Sequence, residues 1–189
     1  MSENNQVNLS GVLSRYGYMF PLTGSERMRA YVWLRGWVLG VAAACERIDV
    51  LLGANKRGFH WTRVREKFGA PSLAYQMDGK ARFAINIHRP DEVHRLECAG
   101  RGGFDPVALE IHELILQTEV QLRSQCIICG ASSSITNSQG PWASLCAAHR
   151  TVDLAGDLAN PFGSIWTAAH VAEGELFRDA GVWNPLSWK

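Results

Sequence analysis

The clearest periodic pattern of apolar and polar positions lies between residues 105 and 123 and predicts an α-helix. Asp105 is suited to the N-cap and Pro106 to the first helical position. The apolar stripe consists of Val107, Ile111, Leu114, Ile115, Thr118 and Leu122. The opposite polar face consists of Glu110, Glu113, Gln117 and Gln121. We expect this helix to pack on a core and to lead almost directly into Cys126.

An apolar run over residues 30–45 predicts a second, buried helix. Ser25 is a suitable N-cap, Glu26 is favourable in the first turn, and Gly53 marks the end. Small residues recur at every fourth position of this run, at Gly36, Gly40 and Ala44. They predict a stripe on which another element packs closely. No membrane span is expected, because the run is shorter than about 20 residues and contains Arg35.

Two runs of alternating apolar residues on either side of Asp78-Gly79 predict a β-hairpin over residues 73–87. A three-residue loop over 78–80 would pair Tyr75 with Phe83 and leave one apolar face. We therefore predict that register rather than a two-residue loop. The polar residues 88–103 that follow predict a surface loop. The alternative is a second metal cluster, formed by His88, Asp91, Glu92, His94, Glu97 and Cys98.

Cationic and aromatic side chains are interleaved between Gly53 and Gly69. This mixture is typical of surfaces that bind nucleic acids, because cations neutralise phosphates and rings stack on bases. The candidate nucleic-acid-binding residues are Lys56, Arg57, Trp61, Arg63, Arg65 and Lys67. The net charge of only +1 gives this interpretation no general electrostatic support. We therefore favour a solvated loop followed by a short helix here, with nucleic-acid binding as the alternative.

The chemically most specific pattern is a C-x-x-C-G followed by a C-x-x-H. The candidate metal ligands are Cys126, Cys129, Cys146 and His149. Zn²⁺ takes four thiolate or imidazole ligands in a tetrahedron, and a site closed by four protein ligands is structural. Turn residues between the two pairs predict a hairpin, so we expect a treble-clef-like ribbon with a structural zinc. A redox-active cysteine pair or a disulfide is the alternative.

The 189 residues, 47% of them apolar, are enough to bury a core. We predict an α+β fold, with helices packed on a small antiparallel sheet or hairpin. The predicted parts are an α+β core over 1–125, a zinc ribbon over 126–155 and an aromatic-rich segment over 156–189. An odd count of five cysteines and an N-terminus without signal-peptide features favour a reducing cytoplasm.

The last predicted part is rich in large aromatic residues. Such residues either pack over the chain's own core or bind a partner. The candidate partner-binding residues are Trp166, Phe177, Trp183 and Trp188.

Three motifs together resemble those of a known family: WTRVREKFG at 61–69, CIICG at 126–130 and GPWASLCAAH at 140–149. The family comprises small uncharacterised bacterial and phage proteins with a K-E-K-F-G motif, a strand, and a C-x-x-C-G…L-C-x-x-H ending. The similarity covers residues 36–149, and Arg65 replaces the first lysine of the family motif. The resemblance implies a zinc-held fold and a bacterial or phage origin, and it implies no reaction.

No nucleophile-elbow, phosphate-binding-loop or dinucleotide-binding motif is present, and we name no catalytic residue. The favoured hypothesis is therefore a non-enzymatic zinc-binding protein with a protein partner, such as an inhibitor, immunity or anti-defence factor of a mobile element. A nucleic-acid-binding accessory protein is the alternative. A metal-dependent enzyme that uses Glu66 and Lys67 is the second alternative. The sequence does not set the oligomeric state.

Overall fold

The computed structural model describes residues 9–31, 34–67, 69–78, 80–88, 93–98, 105–136 and 142–151. Within them the fold is α+β, as the periodicity predicts. The helices are α1 (Leu9–Arg15), α2 (Gly24–Ala30), α3 (Val38–Leu52) and α4 (Pro106–Arg123). The strands are β1 (His60–Lys67), β2 (Ala70–Met77), β3 (Lys80–His88), β4 (Val93–Cys98), β5 (Ser134–Thr136) and β6 (Ala143–Leu145).

The first four strands form an antiparallel sheet in chain order, and β5 and β6 form a separate antiparallel pair. Helix α4 packs on both β2 and α3. One hydrophobic cluster joins these elements to the region around the candidate metal ligands. It includes Ile48 of α3, Ile111 of α4, Tyr75 of β2, and Ile127 and Leu145. The β5–β6 hairpin therefore shares the core of the helices and the sheet.

Helix α4 confirms its sequence prediction. The Asp105 carboxylate accepts a hydrogen bond from the Ala108 backbone N–H at 3.1 Å, and Pro106 occupies the first turn. The predicted stripe is buried from Ile111 to Leu122, and Val107 packs against the core in a partly buried position. The four residues of the predicted polar face are exposed. Capping, a proline at the start and helical periodicity are local signals, and here they agree.

The single helix predicted over residues 25–52 is wrong. Helix α2 ends at Ala30 and α3 begins at Val38, and Thr23 rather than Ser25 precedes the first turn. Tyr31 instead forms a parallel β-bridge with Val64 of β1. Its buried hydroxyl donates to the Trp61 carbonyl at 2.6 Å. The chain leaves the helical conformation here because β1 offers Tyr31 backbone and hydroxyl partners 30 residues away.

The predicted three-residue hairpin loop is also wrong. Met77 pairs with Lys80 and Tyr75 with Arg82, so the loop between β2 and β3 has two residues. Asp78 has a φ of 51°, as the first position of a type I′ turn requires. Its backbone N–H also donates to the Arg57 carbonyl at 2.7 Å. The local preference of Asp-Gly therefore sets the register, against the preference for a single apolar face.

Two segments predicted as loops are strands. Residues 60–67 form β1 instead of a loop and short helix, and within the predicted loop 88–103 residues 93–98 form β4. β4 pairs with β3 from Phe83↔Cys98 to His88↔Val93. The side chains of the hypothesised second metal cluster lie outside the described ones, as does the aromatic segment after residue 151. In the described part of the chain, no helix has the length and apolar character that crossing a membrane needs.

Candidate metal centre

The first ligand pair lies on a tight turn directly after α4, which we call the metal-binding turn (residues 126–130). The Gly130 N–H donates to the Cys126 carbonyl at 2.8 Å and closes the turn. Gly130 has a φ of 76°, a left-handed conformation that glycine adopts without steric cost. The Cys126 N–H donates to the Ala131 carbonyl and the Ile127 N–H to the Ser144 carbonyl. The glycine after C-x-x-C therefore suits the backbone conformation of this turn.

The second ligand pair follows β6. Cys146 precedes a 3₁₀ turn, Ala147–His149, and its carbonyl accepts the His149 N–H at 3.0 Å. This single turn brings the Cys146 sulfur within 3.3 Å of His149 Nδ1. Because β6 pairs with β5, the hairpin carries both residues back beside the metal-binding turn.

The four predicted ligands lie together, with donor atoms all within 4.8 Å of one another. The Cys129 and Cys146 sulfurs are 3.7 Å apart, and the Cys126 sulfur is 3.5 Å from His149 Nδ1. A tetrahedral ion with metal–sulfur bonds of about 2.3 Å and metal–nitrogen bonds of about 2.0–2.1 Å separates sulfurs by about 3.8 Å and sulfur from nitrogen by about 3.6 Å. These two separations thus match those of a tetrahedral metal site.

The surroundings of the two turn thiols favour negative charge at Cys126. Burial raises the pKa of the Cys126 thiol, but the backbone N–H groups of Cys146, Cys129 and Ile128 and the His149 ring outweigh it and lower that pKa to about 7. At Cys129 the Ala131 N–H favours the thiolate, whereas burial and the sulfurs of Cys146 and Cys126 raise the pKa of the thiol. Clustered thiols resist ionising together, and a bound cation removes this repulsion.

The three cysteines of the cluster differ in their exposure to solvent. Cys126 is fully buried at 0% exposure, Cys146 is half-buried, and Cys129 is exposed. Cys45 is separate from the cluster and lies in the core. Burial there raises the pKa of its thiol to about 12, although a hydrogen bond with Trp61 lowers it in part. The four clustered residues could therefore bind a metal ion, with Cys129 as the ligand closest to solvent.

No family model, no curated protein and no solved structure matches the chain at a significant level. The resemblance to the bacterial and phage family therefore stays a prediction carried by its motifs.

The predicted nucleic-acid-binding residues are not one continuous surface. Trp61 is 0% exposed, so its ring packs in the core and is inaccessible to bases. Lys56 pairs with the Asp49 carboxylate at 2.7 Å, and Arg57 pairs with the carboxylates of Asp78 and Asp105. The remaining three cations, Arg63, Arg65 and Lys67, occupy alternate positions of β1. They share one face of that strand, with Lys67 exposed and both arginines partly buried.

Glu66 has a structural partner. Its carboxylate accepts the Gly69 N–H and so holds the turn between β1 and β2. Burial raises the pKa of Glu66, while the Gly69 hydrogen bond and then the charge of Arg65 lower it in part. His60 contacts the Gly58 carbonyl at 2.9 Å through its ring nitrogen. Glu66, one of the two residues named for the enzyme hypothesis, therefore holds a backbone turn.

The sequence analysis missed the junction between the β1–β2 turn and the β5–β6 hairpin. The Ser144 hydroxyl lies 3.1 Å from the Gly69 carbonyl and 2.9 Å from the Arg123 carbonyl, so its single O–H can donate to either. A Cβ on Gly69 would lie 3.0 Å from the Ile135 side chain. The E-K-F-G and cysteine motifs thus belong to elements in direct contact. A covariation signal between residues 69 and 144 could have revealed this junction.

Trp142 is a second feature that the sequence analysis treated only as part of a motif. It is 50% exposed at the start of β6, although the neighbouring Ala143 is buried. Large aromatic side chains left in water are typical of interaction surfaces. An exposed ring therefore lies on the same hairpin that carries Cys146.

Proposed function

We propose that this protein is a non-enzymatic zinc-binding protein that binds a macromolecular partner. In this proposal Cys126, Cys129, Cys146 and His149 hold one structural Zn²⁺ in a treble-clef-like ribbon. The supporting observation is the convergence of three sulfurs and one imidazole nitrogen within 4.8 Å of one another, with separations of 3.3–3.7 Å between the Cys129 and Cys146 sulfurs and between each of the Cys126 and Cys146 sulfurs and His149 Nδ1. Four protein ligands leave no position for water or substrate, which is the arrangement of structural zinc sites.

The donor set favours zinc over other biological cations. Oxygen ligands suit magnesium and calcium, whereas thiolates with imidazole in a tetrahedron suit zinc. Bound zinc also contributes to folding free energy, because the unfolded chain does not present a preformed site. Cys129 is the exposed member of the proposed ligand set, so replacing it should disturb the packing of the core least. Cys129→Ser should therefore lower the melting temperature in zinc buffer and reduce the change that a chelator causes.

The partner is proposed to be a protein. The predicted anchors are the aromatic residues after residue 155, and the exposed Trp142 adds a candidate on the hairpin. The resemblance to bacterial and phage proteins suggests an inhibitor, immunity or anti-defence factor of a mobile element. A nucleic-acid-binding role has less support, because Trp61 is buried and Lys56 and Arg57 have carboxylate partners.

The test is affinity purification from the native host with mass spectrometry of the bound chains. The full chain is compared with a truncation after Ala180 and with Trp142→Ala. A specific protein that is lost with either variant, while the variant still melts as wild type does, supports the proposal. A large drop in melting temperature on truncation assigns Trp183 and Trp188 to the core. Retention of nucleic acid in a salt-dependent manner supports the alternative instead.

A further inference from the structure

The segment before α3 lies directly on the metal-binding turn. The Gly36 N–H donates to the Ile127 carbonyl at 2.9 Å. The Trp37 indole N–H donates to the Gln125 carbonyl at 3.2 Å, across 88 positions of sequence. These two carbonyls flank Cys126 on either side. Residues from the N-terminal half of the chain therefore hold the backbone that presents the first metal ligand.

Gly36 has no room for any side chain. A Cβ there would lie 1.9 Å from the Cys126 carbonyl oxygen, 2.7 Å from the Gly130 nitrogen and 2.9 Å from the Ile127 carbonyl carbon. All three are backbone atoms, which cannot rotate away as the end of a side chain can. From the other side, a Cβ on Gly130 would lie 3.0 Å from the Gly36 carbonyl oxygen. Two glycines thus permit the close approach of these backbone segments.

The same atoms close the metal-binding turn. The Cys126 carbonyl that a Gly36 side chain would displace accepts the Gly130 N–H at 2.8 Å. That bond sets the path of the backbone between Cys126 and Cys129 and so the relative position of their sulfurs. A side chain at position 36 and a closed turn therefore exclude each other. Conversely, an ion that joins both sulfurs to Cys146 and His149 fixes the turn in the shape that accepts Gly36.

We infer that Gly36 is a positioning residue for the metal centre, and that metal binding and the docking of residues 34–37 are thermodynamically linked. Linkage is reciprocal. Docking of residues 34–37 raises the metal affinity by the same factor by which bound metal raises the equilibrium constant for docking. In this inference the metal stabilises the contact between the start of α3 and the end of α4, in addition to the β5–β6 hairpin. This inference rests on the proposed metal site, and the experiment separates the two.

The first test compares the metal affinity of wild type, Gly36→Ala and Gly17→Ala by competition between the reduced, folded protein and a chromophoric chelator, with Zn²⁺ and Co²⁺ as probes. Gly17 is the matched control, because a Cβ there meets nothing within 4 Å. We expect Gly36→Ala to bind about 10- to 100-fold more weakly, as changes in the groups that orient metal ligands do. Gly17→Ala should bind as wild type does.

Two further variants keep the test decisive. Phe20→Leu weakens the buried Phe20–Tyr31 ring contact without touching the turn, so it should lower the melting temperature and leave metal affinity unchanged. If Gly36→Ala does not fold, Trp37→Phe removes the indole donor to Gln125 together with part of a buried ring, and it leaves the backbone of the turn without a clash. We expect it to bind metal about two- to tenfold more weakly, the effect of losing one hydrogen bond.

The second test follows hydrogen exchange of backbone amides in wild type before and after a chelator removes the metal. The Gly36 amide should exchange faster together with the amides of Gly130 and Ile127, whereas the β1–β2 amides should change much less. If both Gly36→Ala and Trp37→Phe bind metal with wild-type affinity, this inference is wrong, although the proposed metal site can still be right. The same holds if removing the metal leaves the exchange rate of the Gly36 amide unchanged. Wild type that binds neither probe would overturn the proposed metal site as well.

Discussion

Replacing Tyr31 by phenylalanine tests the point at which the chain departs from the predicted helix. Tyr31 is 0% exposed, and its hydroxyl donates to the Trp61 carbonyl at 2.6 Å. Burial raises the pKa of Tyr31 to about 12, while the Leu22 backbone N–H, and then the charge of Arg27, lower it in part. The substitution keeps the ring, which packs edge-on against Phe20 at 5.4 Å between centroids. It removes only the hydroxyl and its hydrogen bonds.

The expected cost follows from the hydrogen bonds that are lost. The hydroxyl donates to the Trp61 carbonyl and accepts from the Leu22 N–H, and each such hydrogen bond contributes about 0.5–1.5 kcal/mol net. We therefore expect Tyr31→Phe to lower the free energy of unfolding by about 2 kcal/mol. For a chain of this length that corresponds to roughly 4–8 °C in melting temperature.

The assay is urea and thermal unfolding followed by circular dichroism, with Tyr16→Phe as the control. Tyr16 is also buried, and its hydroxyl has no hydrogen-bond partner among the described residues. Its replacement should change the free energy of unfolding by less than about 0.5 kcal/mol. Equal, small losses in both variants would mean that Tyr31 does not hold β1, and the argument for the break after α2 would fail.

Two further predictions concern charged contacts outside the metal centre. Arg57→Met should lower the free energy of unfolding by about 1–2 kcal/mol at low salt, because it removes the partly exposed ion pairs with Asp78 and Asp105. High salt should make this loss smaller. Hydrogen bonds from Lys56 and then Tyr18 lower the pKa of the Asp49 carboxyl. The ionised carboxylate therefore contributes its full stabilisation above about pH 4–5. This stabilisation is lost as the pH falls through the lowered pKa. Asp49→Asn should therefore be less stable than wild type at pH 7, and the difference should shrink in acid; a constant difference would contradict this assignment.

The sequence predicted elements whose signals are local. Asp105, Pro106 and a regular stripe specify α4 without help from the rest of the chain. The four clustered cysteine and histidine residues could be predicted because zinc-binding motifs have a characteristic spacing within a short segment. The stripe of small residues also has the predicted close contact, since a Cβ on Gly40 would lie 2.5 Å from the Leu122 side chain.

The errors arise where a distant partner decides the local structure. The break after Ala30 depends on a contact with β1. The burial of Trp61 depends on core residues that come from earlier and later parts of the sequence. Neither is visible in a window of neighbouring residues. The hairpin register shows a different failure, because the strong preference of Asp78-Gly79 outweighed the apolar pattern. The contact between Gly36 and the metal-binding turn has no sequence signal beyond a glycine at a regular spacing.

The most direct test of the proposed metal centre is native mass spectrometry of reduced wild type beside Cys129→Ser and Cys45→Ser. Cys45 lies outside the cluster, so its variant controls for the loss of a thiol. We expect one zinc per chain in wild type and in Cys45→Ser, and a large loss of zinc in Cys129→Ser. Folded, reduced wild type that carries no zinc, even after zinc is supplied, would contradict the proposal.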